Sequence, residues 1–148
     1  MAEPCSEAAP VALVTGAAHR LGRALALGLA KRGFRIALHY HSSKSAAAEC
    51  LEALSCHSEG HASFKADLSS VAACKNLVAD VSRHFQRLDA LVHGASPWIE
   101  GPFDSVKPED WDAVFLTGPK AGFFLAQAAA PSLRAREGSI LLISDVAA

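Results

Sequence analysis

Residues 11–22 read VALVTGAAHRLG: an apolar run, a turn carrying Gly16, and the start of an alanine- and leucine-rich segment opening at Leu21-Gly22. Val11–Thr15 has the length and composition of a short buried strand, and Leu21–Arg32 reads as a helix with Gly33 as its stop signal. Gly16 lets the chain turn sharply and Gly22 lets the helix start approach it closely. Backbone N–H groups at such a helix end can hold a diphosphate. The usual dinucleotide fingerprint has three glycines; here there are two, with Arg20 near the middle of the loop. A glycine pair alone fits a purely structural turn equally well; the strand–loop–helix context is what points to a nucleotide.

The same alternation continues outward. Arg35–His39 reads as a second strand, Ser43–Cys56 as a helix, and His61–Ala66 as a third strand that leaves through Asp67-Leu68. Ser69 or Ser70 can cap a helix running to Phe85. Leu88–His93 is a fourth strand, followed by a long loop with two prolines. Pro108 suits a first helical position, with Glu109 and Asp110 in the favourable first turn. That helix is expected to run towards Ala130 and stop before Pro131, and Gly138 leads into a fifth strand, SILLIS. Alternating strands and helices imply βαβ units. The expected fold is therefore α/β, a Rossmann-type doubly wound parallel sheet of five strands with flanking helices, truncated after the fifth strand. Residues 1–9 are expected to be a flexible tail, and 10–148 a single dinucleotide-binding domain.

Composition narrows the class. The 148 residues are 51% hydrophobic with a formal net charge of −1, which argues against disorder and gives no electrostatic footprint for nucleic acid. The first ten residues have no basic or apolar signal region, and no apolar run reaches spanning length. Cys5, Cys50, Cys56 and Cys74 lack CxxC spacing, so reduced thiols in a cytoplasmic setting are the expectation. Cys56, His57 and His61 have no fourth partner at a metal-site spacing, and read as a polar helix end.

The end of the second strand selects among nucleotides. NAD enzymes place Asp or Glu there to hold the ribose 2′-hydroxyl. This chain has His39-Tyr40-His41-Ser42-Ser43-Lys44 instead, with no acid. Arg20, His41, Ser42 and Ser43 offer donors and positive charge, which suits the 2′-phosphate of NADP(H); Lys44 taken alone reads better as a solvated residue. Asp67 can accept from an adenine amine, or serve as a helix N-terminal acid.

These residues resemble the N-terminal part of a short-chain dehydrogenase/reductase, and within that family the pteridine reductase branch. Thr15 to Gly22 fit that branch's TGxxxRxG, and residues 39–43 its His-Tyr-His segment and serine-rich turn. HGASPW (93–98) stands at the usual Asn-Asn-Ala-Gly, and ISDVAA (143–148) at the strand bearing the catalytic Ser. The resemblance implies NADP(H) held by Thr15, Gly16, Arg20, Leu21, Gly22, His41, Ser42, Ser43, Asp67, Leu68, Ala95, Ser96 and Ser144. It implies a small-molecule substrate, a pterin or related carbonyl or imine compound, met by Arg20, Ser96, Trp98 and Asp145. Asp145 would assist protonation, and Trp98 would stack on the pterin or act as a packing anchor. Family members are often homotetramers.

The chain also departs from the family. The resemblance calls for a Tyr and a Lys at i and i+4 on the helix after the fifth strand, and the chain does not include them. Its single tyrosine, in Tyr40-His41-Ser42-Ser43-Lys44, has that spacing at the adenosine end, far from any hydride, and is rejected as catalytic. Gly94 and Gly118 stand where the family has Asn. Gly118-Pro119 also predicts a kink or break near Phe115–Pro119, because proline inside a helix costs about 3 kcal/mol.

The reading is therefore the cofactor-binding part of an NADPH-dependent pteridine reductase-like enzyme, a fragment of a longer chain with little turnover alone. The alternatives are a non-catalytic nucleotide- or partner-binding module, and a ketoacyl or sugar reductase of the same family.

Overall fold

The computed structural model describes residues 9–97 and 99–144. The expected alternation is present: β1 (Val11–Thr15), α1 (Arg20–Ala30), β2 (Arg35–Tyr40), α2 (Lys44–Ser55), β3 (Ala62–Lys65), α3 (Val71–Phe85), β4 (Ala90–His93), α4 (Pro108–Phe115), α5 (Ala121–Arg134) and β5 (Ser139–Leu142). A 3-10 turn, Phe103–Ser105, interrupts the loop before α4. The strands form one parallel sheet in the order β3-β2-β1-β4-β5.

The centre of the sheet is buried on both faces: the four apolar residues of β1, Val11–Val14, are all buried. Successive residues of a strand point to opposite faces, and the two cores separate accordingly. Val11, Leu13 and Leu91 pack with α3 and α5 through Leu77, Val81, Phe85, Leu125 and Leu133. Ala12, Val14 and Val92 pack on the other face with Ala26, Ala30, Ile36, Leu38, Cys50 and Leu54, from β2, α1 and α2. At the amino end of the sheet, Asp89 holds two strands together. Its carboxylate accepts from the Val11 N–H at 2.7 Å and forms a bidentate pair with Arg87 at 2.6 and 2.8 Å. Burial pushes the Asp89 carboxyl up, but these donors outweigh it and hold it below its ordinary range.

Local signals account for most element ends. The Ser70 hydroxyl accepts from the Ala73 N–H at 3.3 Å and caps α3. Pro108 opens α4, where Asp110 accepts from the Lys107 N–H at 3.2 Å. Two helical expectations change. The Gly118-Pro119 break is a π-helical turn, Leu116–Lys120, which joins α4 to α5 without ending either. The wider turn redirects the Ala121 N–H to the carbonyls of Leu116 and Gly118. The helix also does not stop before Pro131 but runs through it to Arg134. Pro131 and Gln127, whose carbonyl loses its helical donor, both lie on the exposed side, where water can satisfy that carbonyl. Leu133, beyond the proline, is buried and keeps the turn docked.

Candidate functional site

In an open parallel sheet, ligands lie at the carboxyl ends of the strands, where the strand order reverses. Here that point lies between β1 and β4. The chain leaves β1 through Thr15-Gly16, and the pleat ends with Gly16 at φ 68°, a left-handed conformation suited to glycine. The first turn of α1 then folds back so closely that a Cβ on Gly22 would overlap the Gly16 carbonyl. This close approach places the unpaired N–H groups of the first turn of α1 at the mouth of the crevice.

Three polar side chains are buried among the described residues, and all three converge on this turn: Thr15, His39 and His93. The Thr15 hydroxyl accepts from the N–H groups of Gly94 and Ala95 at 3.1 and 3.2 Å, and lies 2.8 Å from His93 Nδ1. With both lone pairs engaged, its own proton goes to His93 Nδ1, which must be bare. The other ring nitrogen, Nε2, therefore carries the hydrogen and donates to the Gly118 carbonyl at 3.0 Å. On the far side, His39 Nδ1 accepts from the Gly16 N–H at 3.3 Å, and its Nε2 donates to the Ala66 carbonyl at 3.1 Å. The His39 carbonyl also accepts from the Ala17 N–H at 3.1 Å. Both imidazoles are neutral. Burial depresses His39 from 6.5 to about 4, with smaller contributions from His93 and His41. It lowers His93 as well, against the opposing hydrogen bonds to Gly118 and Thr117.

The predicted residues fall around this turn. Arg20 is exposed at the start of α1 and has φ 47°. A left-handed arginine is strained, so the position that is glycine in the common fingerprint retains a glycine-like backbone here. Leu21 is 55% exposed and offers the site only its backbone. His41 and Ser42 are exposed at the end of β2, with Ser43 half-buried beside them. No carboxylate stands on that segment. Asp67 follows β3, but its Oδ1 is taken by Ser69, from the N–H at 3.0 Å and the hydroxyl at 2.8 Å. Those two bonds hold its carboxyl below the ordinary range. Leu68 is buried in the core and can meet a ligand only through its backbone. Ala95 and Ser96 follow β4, where the Ser96 hydroxyl donates to the Pro97 carbonyl at 3.2 Å. Ser144 is exposed beyond β5. Trp98 and Asp145 lie outside the described residues. Among the described residues no group of acidic, Cys and His side chains is arranged for a metal, and no helix is long and apolar enough to cross a membrane.

The sequence reading placed His39 and His93 at the ends of the second and fourth strands and inside family motifs, and missed their buried roles. A signal was present: in the strands flanking β1, His39 directly follows the apolar run Ile36–Leu38 and His93 the run Ala90–Val92.

Residues 10–148 match the family model described as short chain dehydrogenase. The hydroxynaphthalene reductase-like protein of Metarhizium brunneum is 39% identical over 145 residues, covering 98% of this chain and 54% of that protein. Versicolorin reductase 1 of Aspergillus parasiticus is 33% identical over 135 residues, covering 91% of this chain and 51% of its own length. The chain thus spans about half the length of the relatives it matches. Among solved structures, a metagenomic short-chain oxidoreductase in complex with NADP superposes with a TM-score of 0.84 at 31% identity, over 93% of this chain and 63% of that one. A short chain dehydrogenase from Burkholderia cenocepacia in complex with NADP gives 0.80 at 31%, over 84% and 51%.

Proposed function

The chain belongs to the short-chain dehydrogenase family, and we propose that it forms the NADP(H)-binding part of a ketone reductase. The observation that carries this is the pairing of the Gly16–Gly22 cradle, which a single Cβ would fill, with a β2 terminus that has histidine and serines but no carboxylate. The N–H groups opening α1, with Arg20 beside them, suit a diphosphate. His41, Ser42 and Ser43 suit a 2′-phosphate and give an NAD ribose no acidic partner. Asp67 retains one carboxylate oxygen for an adenine amine. Ala95, Ser96 and Ser144 would border the nicotinamide end, with Thr15 holding the loop beneath it. The NADP-bound solved neighbours support this reading.

Bound NADPH supplies a hydride, which with one proton reduces a ketone to an alcohol and leaves NADP+. In the whole protein, the tyrosine of a Tyr-x-x-x-Lys pair on a helix after β5, distinct from Tyr40 and Lys44, would donate that proton. The relatives' names favour a hydroxynaphthalene-type aromatic ketone, and this replaces the pteridine reductase-like expectation as the leading substrate class. The pterin reading keeps the arginine-bearing loop and the His-Tyr-His segment with its serine-rich turn; Trp98 and Asp145 lie outside the described residues. We propose likewise that the whole protein is a homotetramer, as is typical of the family, in a cytoplasmic setting.

Titration with NADPH and NADH, followed by nicotinamide fluorescence, tests the cofactor assignment. Tight NADPH binding with at least tenfold weaker NADH binding is expected, and equal binding sinks it. NADPH oxidation by the intact protein with a hydroxynaphthalene-type ketone, a 3-oxoacyl thioester and a dihydropteridine tests the substrate class. Preference for the dihydropteridine would restore the pterin reading.

A further inference from the structure

One hydrogen-bonded chain crosses the site from side to side. It runs from the backbone N–H groups of Gly94 and Ala95 to the Thr15 hydroxyl, then to His93 Nδ1, and from His93 Nε2 to the carbonyl of Gly118. Its far end is the π turn between α4 and α5, where the Gly118 carbonyl also receives the Ala121 N–H. The ring fits this path tightly: a Cβ on Gly122 would stand only 3.0 Å from His93 Cδ2. The other buried imidazole, His39, bonds the same loop but ends on Ala66, short of any helix.

We propose that His93 is a positioning residue that couples the nucleotide loop to the π turn of the α4–α5 helix, so that loop occupancy and helix geometry change together. The inference rests on the NADP(H) reading of the loop. Its physical basis is that each end of the imidazole has one function and neither nitrogen is spare. The bare Nδ1 requires the Thr15 proton, and that demand fixes the hydrogen on Nε2, where it meets a carbonyl that a π turn exposes. Such turns are frequent where a helix serves a functional site. A shift of the Gly94–Ala95 backbone on nucleotide binding therefore reaches Gly118 through three successive hydrogen bonds, by way of Thr15 and His93. Coupling between sites is expected to amount to a several-fold effect on the observable at the far end.

Amide hydrogen exchange across residues 115–122, with and without NADPH, reads the coupling directly. In the wild type, NADPH should slow exchange there by at least about fivefold. His93→Asn places an acceptor where Nδ1 was and cannot reach Gly118. His93→Gln places a donor where Nε2 was and loses the Thr15 acceptor. Both variants should bind NADPH and fail to transmit the slowing; slowing that persists in either overturns the proposal. Nitrogen-15 spectra of the wild-type ring provide a readout independent of variant folding. A bare Nδ1 and a protonated Nε2, both shifting on NADPH addition, are expected, and the opposite tautomer or an unresponsive ring overturns the coupling. No NADPH binding by the wild type removes the nucleotide reading and the coupling together. Binding with no slowing at residues 115–122 removes the coupling alone.

Discussion

The N–H of Gly16 donates to Nδ1 of His39 at 3.3 Å, so the turn that would carry a phosphate hangs on a buried neutral imidazole. A second proton on that ring removes the acceptor and sets two N–H groups against each other.

Acid should therefore loosen the turn. The folded-state pKa of His39 lies at about 4 against an ordinary 6.5, so the unfolded chain takes up the proton first. The stabilisation is fully present above about pH 6.5, falls as the pH drops through that window, and is gone below about 4. A shift of that size corresponds to at most about 3 kcal/mol. His61 and His93, also lowered by burial, act in the same direction. Urea unfolding between pH 7 and pH 4 should show the loss, and His39→Gln should flatten it. A pH-independent midpoint over that range would contradict the assignment.

Arg20 sets local strain against ligand charge. Arg20→Gly should raise stability by about 1 kcal/mol, because φ 47° suits glycine. The same change should weaken NADPH binding and reduce its salt dependence. Thermal melts and fluorescence titrations at two ionic strengths separate the two effects; a destabilised variant with unchanged affinity would reverse the argument.

Two glycines of α1 should respond in opposite senses. Gly22→Ala forces a Cβ into the Gly16 carbonyl, and should cost about 1–3 kcal/mol while abolishing nucleotide binding. Gly28→Ala meets only the end of Arg32, at 3.8 Å, and should gain about 0.5–1 kcal/mol. Comparable losses at both positions, measured by chemical unfolding, would mean the crowding at Gly22 is not what matters.

Nucleotide choice should follow the charge at the end of β2. His41→Asp introduces the acid that an NAD ribose needs and repels a 2′-phosphate. The NADPH-to-NADH affinity ratio should fall by at least about tenfold, equivalent to 1.4 kcal/mol. An unchanged ratio would place the 2′-phosphate elsewhere.

Much of this was legible in the sequence because it is encoded locally. The apolar run of β1, the cap at Ser70, the proline opening α4 and the glycine before β5 each act within a few residues. What escaped depends on distance along the chain or on which side faces water. Pro131 continues a helix because its unpaired partner carbonyl is exposed, and period alone does not say which face is wet. The buried roles of His39 and His93 went unread because their partners, Gly16, Ala66, Thr15 and Gly118, lie 23 to 78 positions away. The pteridine reductase-like expectation leaned on the arginine loop and on Asp145, and a loop shaped to hold a cofactor says little about the substrate on its far side.

Thr15 has one hydroxyl hydrogen and two lone pairs, and Gly94, Ala95 and His93 use all three. Nothing on that oxygen is left to greet a phosphate. Its contribution to recognition is complete before a nucleotide arrives: the loops leaving β1 and β4 are held in register during folding, and little chain remains to be ordered at the moment of binding. Thr15→Val would keep the shape of the strand end and lose the three bonds. It would thus turn a nearly rigid receptor into one that must be assembled around each incoming ligand.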